Sequence, residues 1–192
     1  MVGTLAGTPA AHTDEATEVA RAKRDRQAFA PLYLRYFDRV YAYCYRRLGT
    51  ADEAADATSL VFARALAALP SCREEAFRSW LFAIAHNVLA DQYRSRRLDR
   101  PLDDALELAD RGPSPEDAAI ADEARAIVTR LLSELPADQR NVLELRLAGL
   151  SSKEIGDVLG KQANAVDQAQ FRAMTRLRVL TAGSGSWAEE RR

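Results

Sequence analysis

From Phe29 onward the apolar residues Phe29, Leu32, Tyr33, Tyr36, Val40, Tyr43 and Leu48 recur at steps of three and four, the spacing that lines up side chains along one face of an α-helix. Gly49 ends the stripe, as glycine does where a helix closes in the left-handed conformation. Thr50 followed by Glu53 has the form of a capping box and predicts a second helix running to Leu69, ahead of Pro70. Ser71 with Glu74 repeats that form, and Phe77, Trp80, Leu81, Ile84, Ala85, Val88 and Leu89 then mark the apolar face of a third helix reaching about Arg97.

The periodicity fails between Leu98 and Asp117. Pro101, Gly112, Pro113 and Pro115 interrupt it there, and Asp103, Asp104, Glu107, Asp110, Glu116 and Asp117 outnumber Arg100 and Arg111. Helical spacing resumes with Ile120, Ala124, Ile127, Val128, Leu131 and Leu135, halts at Pro136, and restarts through Val142, Leu143, Leu145 and Leu147 to Gly149. Ser151 and Glu154 form a third capping box before a short helix to Leu159. Gly160 makes a turn, and a last helix runs from about Ala163 to Leu180. Short helix, glycine turn and longer helix together read as a helix-turn-helix. The pattern predicts an all-α chain of two small helical domains joined by an acidic flexible linker. The expected boundaries are a disordered N-terminal tail over 1–20, a first domain over 21–98, the linker over 99–117, a second domain over 118–181 and a flexible tail over 182–192.

Composition sharpens this picture in two places. Ala, Leu, Arg, Glu and Asp dominate the 192 residues while β-branched and aromatic residues are sparse, so intrinsic propensity favours helix nearly throughout. The 27 Lys and Arg are balanced by 28 Asp and Glu, for a net charge of -1, so any nucleic-acid surface must come from segregated charge. Cys44 and Cys72 stand apart without a CxxC spacing, which argues against a zinc site and fits a reducing compartment. The N-terminus carries no basic and apolar leader, and no run approaches the roughly 18 apolar residues of a membrane span. A cytoplasmic protein without membrane insertion is expected.

Two constellations carry candidate chemistry. In the second domain Ile155 and Leu159 on one helix and Val166, Ala173 and Leu177 on the next lock the pair together, leaving the other face of the last helix free for a major groove. Lys161, Arg172, Arg176 and Arg178 stand there against one Asp167. The bland alternative is that such cations line any solvated helix. In the first domain Asn87, Asp91 and Arg94 share a face of the third helix, followed by Arg96, Arg97 and Arg100, with Phe77, Trp80, Phe82 and Tyr93 nearby. Cations beside aromatic and amide groups suit unstacked bases, although Phe77 and Trp80 at helical spacing are more often core. His86 reads as a packed or capping histidine. No nucleophile triad, phosphate loop, metal-ligand set or paired carboxylate stands out, so neither a catalytic residue nor a metal or other cofactor is expected.

These residues resemble the extracytoplasmic-function, or group four, sigma factors of the sigma-70 superfamily, across residues 25–180. In the first half the resemblance rests on Phe29, Leu32 and Tyr33, on Leu48-Gly49, on Ala55 to Thr58 with Val61-Phe62, and above all on the string Trp80 to Asn87 followed by Asp91 and Arg94. In the second it rests on Leu135-Pro136, Arg140, Leu143, Leu145-Arg146, Gly149 to Ser151, Glu154-Ile155, Leu159-Gly160, Ala165-Val166, Arg172-Ala173 and Leu177-Arg178. The first half is similar to sigma domain two and the second to sigma domain four.

The resemblance implies a non-enzymatic factor that binds core RNA polymerase, directs it to promoters and helps melt the minus-ten element. It implies that Asp52, Glu53, Asp56, Ser59 and Phe62 dock on the beta-prime clamp helices. Asn87, Asp91, Trp80 and Phe77 with the loop from Ser71 would serve a flipped minus-ten base, and Arg94, Arg96 and Arg97 its backbone. It further implies that Lys161, Gln162, Asn164, Asp167, Gln168, Arg172 and Arg176 read the minus-thirty-five element, that the second domain rests on the beta-flap tip, and that the acidic linker threads a basic RNA channel. A cognate anti-sigma factor is a family habit that nothing in this chain specifies. Ser59 and Leu60 stand where the family usually has Gln-Glu, and Asp167 where a Lys is common, so the promoter sequence is not transferable from relatives. The competing reading is a free-standing helix-turn-helix regulator whose first domain senses or dimerises; an enzyme ranks last.

Overall fold

The computed structural model describes residues 9–99 and 127–185, with side chains over 15–94 and 127–182. The described residues are helical, with no strand among them. The expected linker beyond Asp99 lies outside the described residues, as do the first eight residues and those after Gly185.

The first half is built from α1 (Pro9–Arg24), α2 (Ala30–Leu48), α3 (Ala51–Ala68) and α4 (Phe77–Asp99), with one 3-10 turn between α1 and α2, a two-residue link between α2 and α3, and two 3-10 turns between α3 and α4. Helix α2 starts with a proline in its first turn, where the missing amide costs nothing. It ends at Gly49, whose φ of 84° lets its amide donate to the Tyr45 carbonyl. Its buried stripe of Leu32, Tyr36, Val40, Tyr43, Cys44 and Leu48 follows the periodicity closely. Helix α3 answers with Ala54, Ala57, Thr58, Val61, Phe62 and Ala65, mostly small side chains that let the two backbones approach. The buried Thr58 hydroxyl donates to the Ala54 carbonyl at 2.7 Å, which satisfies it inside the core.

Three local expectations need correction. Residues 1–20 were expected as a disordered tail, yet from Pro9 onward they form α1, with Val19 and Ala22 fully covered. Little else on α1 is apolar, so the helix is held largely by polar ties: Glu15 accepts from the Tyr36 hydroxyl, Glu18 pairs with Arg35 at 2.7 Å and Lys23 with Glu74 at 3.2 Å. Thr50 and Glu53 bond to each other at 2.8 Å, and the Thr50 hydroxyl does not cap a backbone amide. Thr50 still precedes the first residue of α3, whereas Ser71 and Glu74 do not open α4. The Ser71 hydroxyl turns back to the Ala68 carbonyl, Glu74 is engaged by Lys23, and α4 begins only at Phe77.

The second half comprises α5 (described over residues 127–133), α6 (Ala137–Leu147), α7 (Ser152–Leu159) and α8 (Ala163–Gly185). Helix α8 continues to Gly185, past the boundary expected at 181. On α6 the apolar pattern misplaced one position. Leu147 is 56% exposed while Glu144 is 1% exposed, because the face carrying Glu144 is turned to the first half of the molecule. There Glu144 Oε2 lies 2.8 Å from Arg47 Nη1, and Arg47 also donates to Asn141 at 2.8 Å. Arg78 of α4 forms a two-pronged pair with Glu154 of α7, at 2.6 and 2.9 Å. The two halves share one continuous buried cluster in which Val142, Leu145, Leu150 and Ile155 join the core of the first.

Candidate nucleic-acid interface

The helix-turn-helix is set by backbone requirements at four positions. Ser151 and Glu154 cap each other's amides, the one expected capping box that forms: Glu154 N donates to Ser151 Oγ at 3.3 Å and Ser151 N to Glu154 Oε2 at 2.8 Å. Gly160 turns the chain with φ 66°. The sequence reading missed Gly156, where a Cβ would stand 2.5 Å from the Lys161 carbonyl oxygen, so only glycine lets the turn fold back this closely. Across that turn Ile155, Val166, Ala169 and Ala173 are buried, which fixes α8 by one face.

The turn before α8 and the outer surface of α8 carry the expected reading residues. Lys161, Gln162, Asn164, Asp167, Gln168, Arg172 and Arg176 are all exposed. Two of them are already engaged. Lys161 pairs with Asp138 at 2.5 Å, and Asp167 accepts from the Ser152 hydroxyl at 2.5 Å and lies 3.8 Å from Arg146. Arg146 itself staples the motif, donating to Gln170, to the Leu150 carbonyl and to Ser152 at 2.9, 2.8 and 2.6 Å. Asp167 therefore serves the architecture as well as the surface. Among the described residues no acidic side chain pairs with Arg172, Arg176 or Arg178, so their charge is available.

On α4 Asn87 is exposed, and Asp91 and Arg94 follow on the same side as expected. Asp91 joins Arg64 of α3, at 3.1 Å, to Arg94. Hydrogen bonds from Arg64 and then Arg94 hold its carboxyl below the usual carboxylate range. It thus orients two cations instead of presenting a free acid, and Arg64 is a basic member that the sequence reading did not include. The backbone of Arg96 and Arg97 continues α4, while their side chains lie outside the described residues.

Two expected contact residues are corrected. Phe77 is 0% exposed, ringed by Phe29, Tyr36 and Trp80 at centroid distances of 6.4, 5.6 and 5.8 Å, so it supports the site and does not face a base. Phe62 is 5% exposed and packs on Tyr33 at 4.7 Å, so it cannot be a principal polymerase contact. Both follow the usual fate of aromatics at helical spacing. Trp80 is half-buried against the same core. The outward side of α3 shows Asp52, Asp56, Ser59 and Leu60, with Glu53 half-buried beside them.

The remaining titratable groups are structural. His86 Nδ1 lies 3.1 Å from the Tyr43 hydroxyl, and burial together with the Arg47 charge lowers its pKa. Burial pushes the Cys44 and Cys72 thiols up to about 11, which leaves them unreactive. No three His, Cys, Asp or Glu side chains are grouped for a metal among the described residues, and no described helix is long and apolar enough to cross a membrane.

Comparison with known proteins places this geometry. Residues 32–98 match Sigma-70 region 2 and residues 125–177 match Sigma-70, region 4. The chain is 34% identical to the ECF RNA polymerase sigma factor BldN of Streptomyces coelicolor, over 90% of this chain and 69% of that one. To SigW of Bacillus subtilis it is 31% identical, over 81% and 90% respectively. In fold it is similar to CnrH, solved with the cytosolic domain of CnrY, with a TM-score of 0.68, 24% identity and coverage of 88% and 97%. It is likewise similar to the sigma factor RpoE of Bartonella quintana, solved with the anti-sigma factor NepR, with a TM-score of 0.60, 21% identity and coverage of 80% and 96%. With α2 to α4 forming the region 2 module and α5 to α8 the region 4 helix-turn-helix, the chain belongs to the ECF sigma factors of the sigma-70 family, which direct RNA polymerase to promoters.

Proposed function

We propose that the two modules divide promoter recognition between them while both are held on core RNA polymerase. The observation that carries this reading is the placement of exposed cations: Arg172 and Arg176 on the outer surface of α8, and Arg94, oriented by Asp91, on the same side of α4 as the exposed Asn87. Helix α8 enters the major groove at the minus-thirty-five element, its arginines holding phosphates and Gln162, Asn164 and Gln168 facing base edges. Asn87 receives a non-template base flipped from the minus-ten element, and Arg94, Arg96 and Arg97 hold the backbone of the strand. Flipping costs a few kcal/mol of stacking, which a prepared amide contact and a basic rim offset. The exposed side of α3, with Asp52, Asp56 and Ser59, docks on the beta-prime clamp helices, and the region 4 module rests on the beta-flap tip.

The deciding experiment combines the purified chain with core polymerase and fragmented genomic DNA in run-off transcription. Promoter-dependent transcripts support the proposal. Binding of duplex DNA by the chain alone, as a dimer and without polymerase, would favour a free-standing regulator.

Two variants assign the modules. Asn87→Ala is expected to slow promoter opening, read by permanganate reactivity of unpaired thymines, with polymerase affinity unchanged; an equal loss of both would remove the base contact. Arg172→Ala or Arg176→Ala should weaken promoter binding and reduce the slope of log affinity against log salt by about one per lost phosphate contact. A slope equal to that of the parent protein would place those arginines away from the backbone.

A further inference from the structure

Asp167 is the single acid of α8, and it stands on the side of the helix turned away from the core. Asn164 lies three residues before it and Phe171 four after, with Gln168 beside them, so the four share one outward face at helical spacing. Val166, Ala169 and Ala173 are buried on the opposite face. Asp167 carries the sole charge among the four exposed residues, with 63% of its side chain open to solvent. Side chains on the early turns of the second helix of such a motif are the ones that reach base edges. The face that meets bases therefore presents amides, an aromatic ring and a carboxylate.

That carboxylate is not free to turn. Its Oδ1 accepts from the Ser152 hydroxyl at 2.5 Å, and the same oxygen lies 3.8 Å from Arg146 Nη2. Arg146 Nη2 also donates to Ser152 Oγ at 2.6 Å, so the hydroxyl has its own lone pairs engaged and its proton left to give to an oxygen. Ser152 opens α7 and Arg146 belongs to α6, so two other helices fix Oδ1 from below. Among the described residues no partner reaches Oδ2. One oxygen is tied to the scaffold and the other is presented, which lowers the rotamer freedom lost on binding.

The chemistry of Oδ2 restricts what it can meet. A carboxylate offers lone pairs and no proton. It is repelled by a phosphate, and equally by guanine N7 and O6 and by thymine O4, which are acceptors on the major-groove edge. The donors there are the N4 amine of cytosine and the N6 amine of adenine. Adenine N6 adjoins N7, whose lone pair faces the carboxylate, whereas cytosine N4 adjoins only a C–H edge of its own ring. Cytosine alone satisfies Oδ2 without bringing a second acceptor against it.

We propose that Asp167, held in place by Ser152, is a specificity-determining residue that selects a cytosine in the minus-thirty-five element by accepting from its N4 amine. The proposal rests on the promoter reading above, in which α8 lies in the major groove. It gives the acid a task distinct from that of Arg172 and Arg176: they hold phosphates of any sequence, and Asp167 makes binding depend on one base. A single hydrogen bond lies at the low end of base-contact discrimination, roughly tenfold in affinity.

The test lets the chain bound to core polymerase select from duplex DNA randomised across the minus-thirty-five region. The parent protein should enrich cytosine at one position roughly tenfold over the other bases. Asp167→Asn is the decisive variant. Its amide oxygen keeps the Ser152 bond and its NH2 group stands where Oδ2 was, so an acceptor becomes a donor at the same point. Cytosine at that position should then fall among the least favoured bases and guanine or thymine should rise, with preferences elsewhere in the element unchanged. A scaffold role alone would not reverse a base preference. Asp167→Ala should leave that position without preference, and circular dichroism verifies the helix content of both variants. Identical base preferences in all three folded proteins, or an Asp167→Ala variant that binds every sequence more tightly and alike, would overturn the proposal and leave the promoter reading standing. A parent protein that enriches no sequence at all would sink the promoter reading and the proposal with it.

Discussion

Phe77→Ala is expected to destabilise the region 2 module by roughly 3–5 kcal/mol, the cost of emptying a site filled by a large buried aromatic. The ring is wholly covered and sits where α1, α2 and α4 meet, against Phe29, Tyr36 and Trp80. Urea unfolding followed by circular dichroism reads the loss directly, as a lower midpoint. Were Phe77 a base contact, stability would hold and only promoter melting would fail, so an unchanged midpoint would refute its placement in the core. Phe77→Leu, which refills most of the volume, should recover a large part of the stability.

Gly156→Ala is expected to disable the helix-turn-helix, although it adds a single methyl group. The new Cβ would collide with a main-chain oxygen, that of Lys161 at 2.5 Å, and a backbone atom cannot rotate away as a side chain does. Overpacking of this kind costs roughly 1–3 kcal/mol or more. Relief requires α7 and α8 to separate, which misaims the reading surface. Binding to a minus-thirty-five duplex should fall at least tenfold, measured with the polymerase-bound protein. Gly160→Ala is the control: nothing lies within 4 Å of its added Cβ, so only the left-handed backbone is strained, at about 1–2 kcal/mol. If the two substitutions were equally mild, close approach at Gly156 would not be what shapes the turn.

These two residues mark where a single chain of letters is and is not informative. Helices α2, α7 and α8 were legible because a full apolar stripe and a terminating glycine or cap coincide, as in Leu32 to Leu48 before Gly49. Helix α1 was not, since a short covered stretch at Val19 and Ala22 cannot outweigh a polar sequence whose ties to Tyr36, Arg35 and Glu74 are made far along the chain. Capping boxes were right at Ser151 and wrong at Ser71, because the same pair of residue types finds other partners when Lys23 and the Ala68 carbonyl are closer. Exposure was anticipated where charge decides it, at Arg94, Arg172 and Arg176, and misjudged where an aromatic serves packing, at Phe77 and Phe62. Glu144 escaped notice for a different reason. A carboxylate between leucines reads as solvent-facing, and only the partner helix with Arg46 and Arg47 turns it inward.

Helix α1 reaches the turn between α3 and α4 through Lys23 and Glu74, so the stretch preceding the part matched to Sigma-70 region 2 is a strut under the portion of the molecule proposed to meet melted DNA. Fragments trimmed to begin at residue 21 would keep every matched motif and still lose Glu15, Glu18 and Val19 from beneath Tyr36 and Arg35.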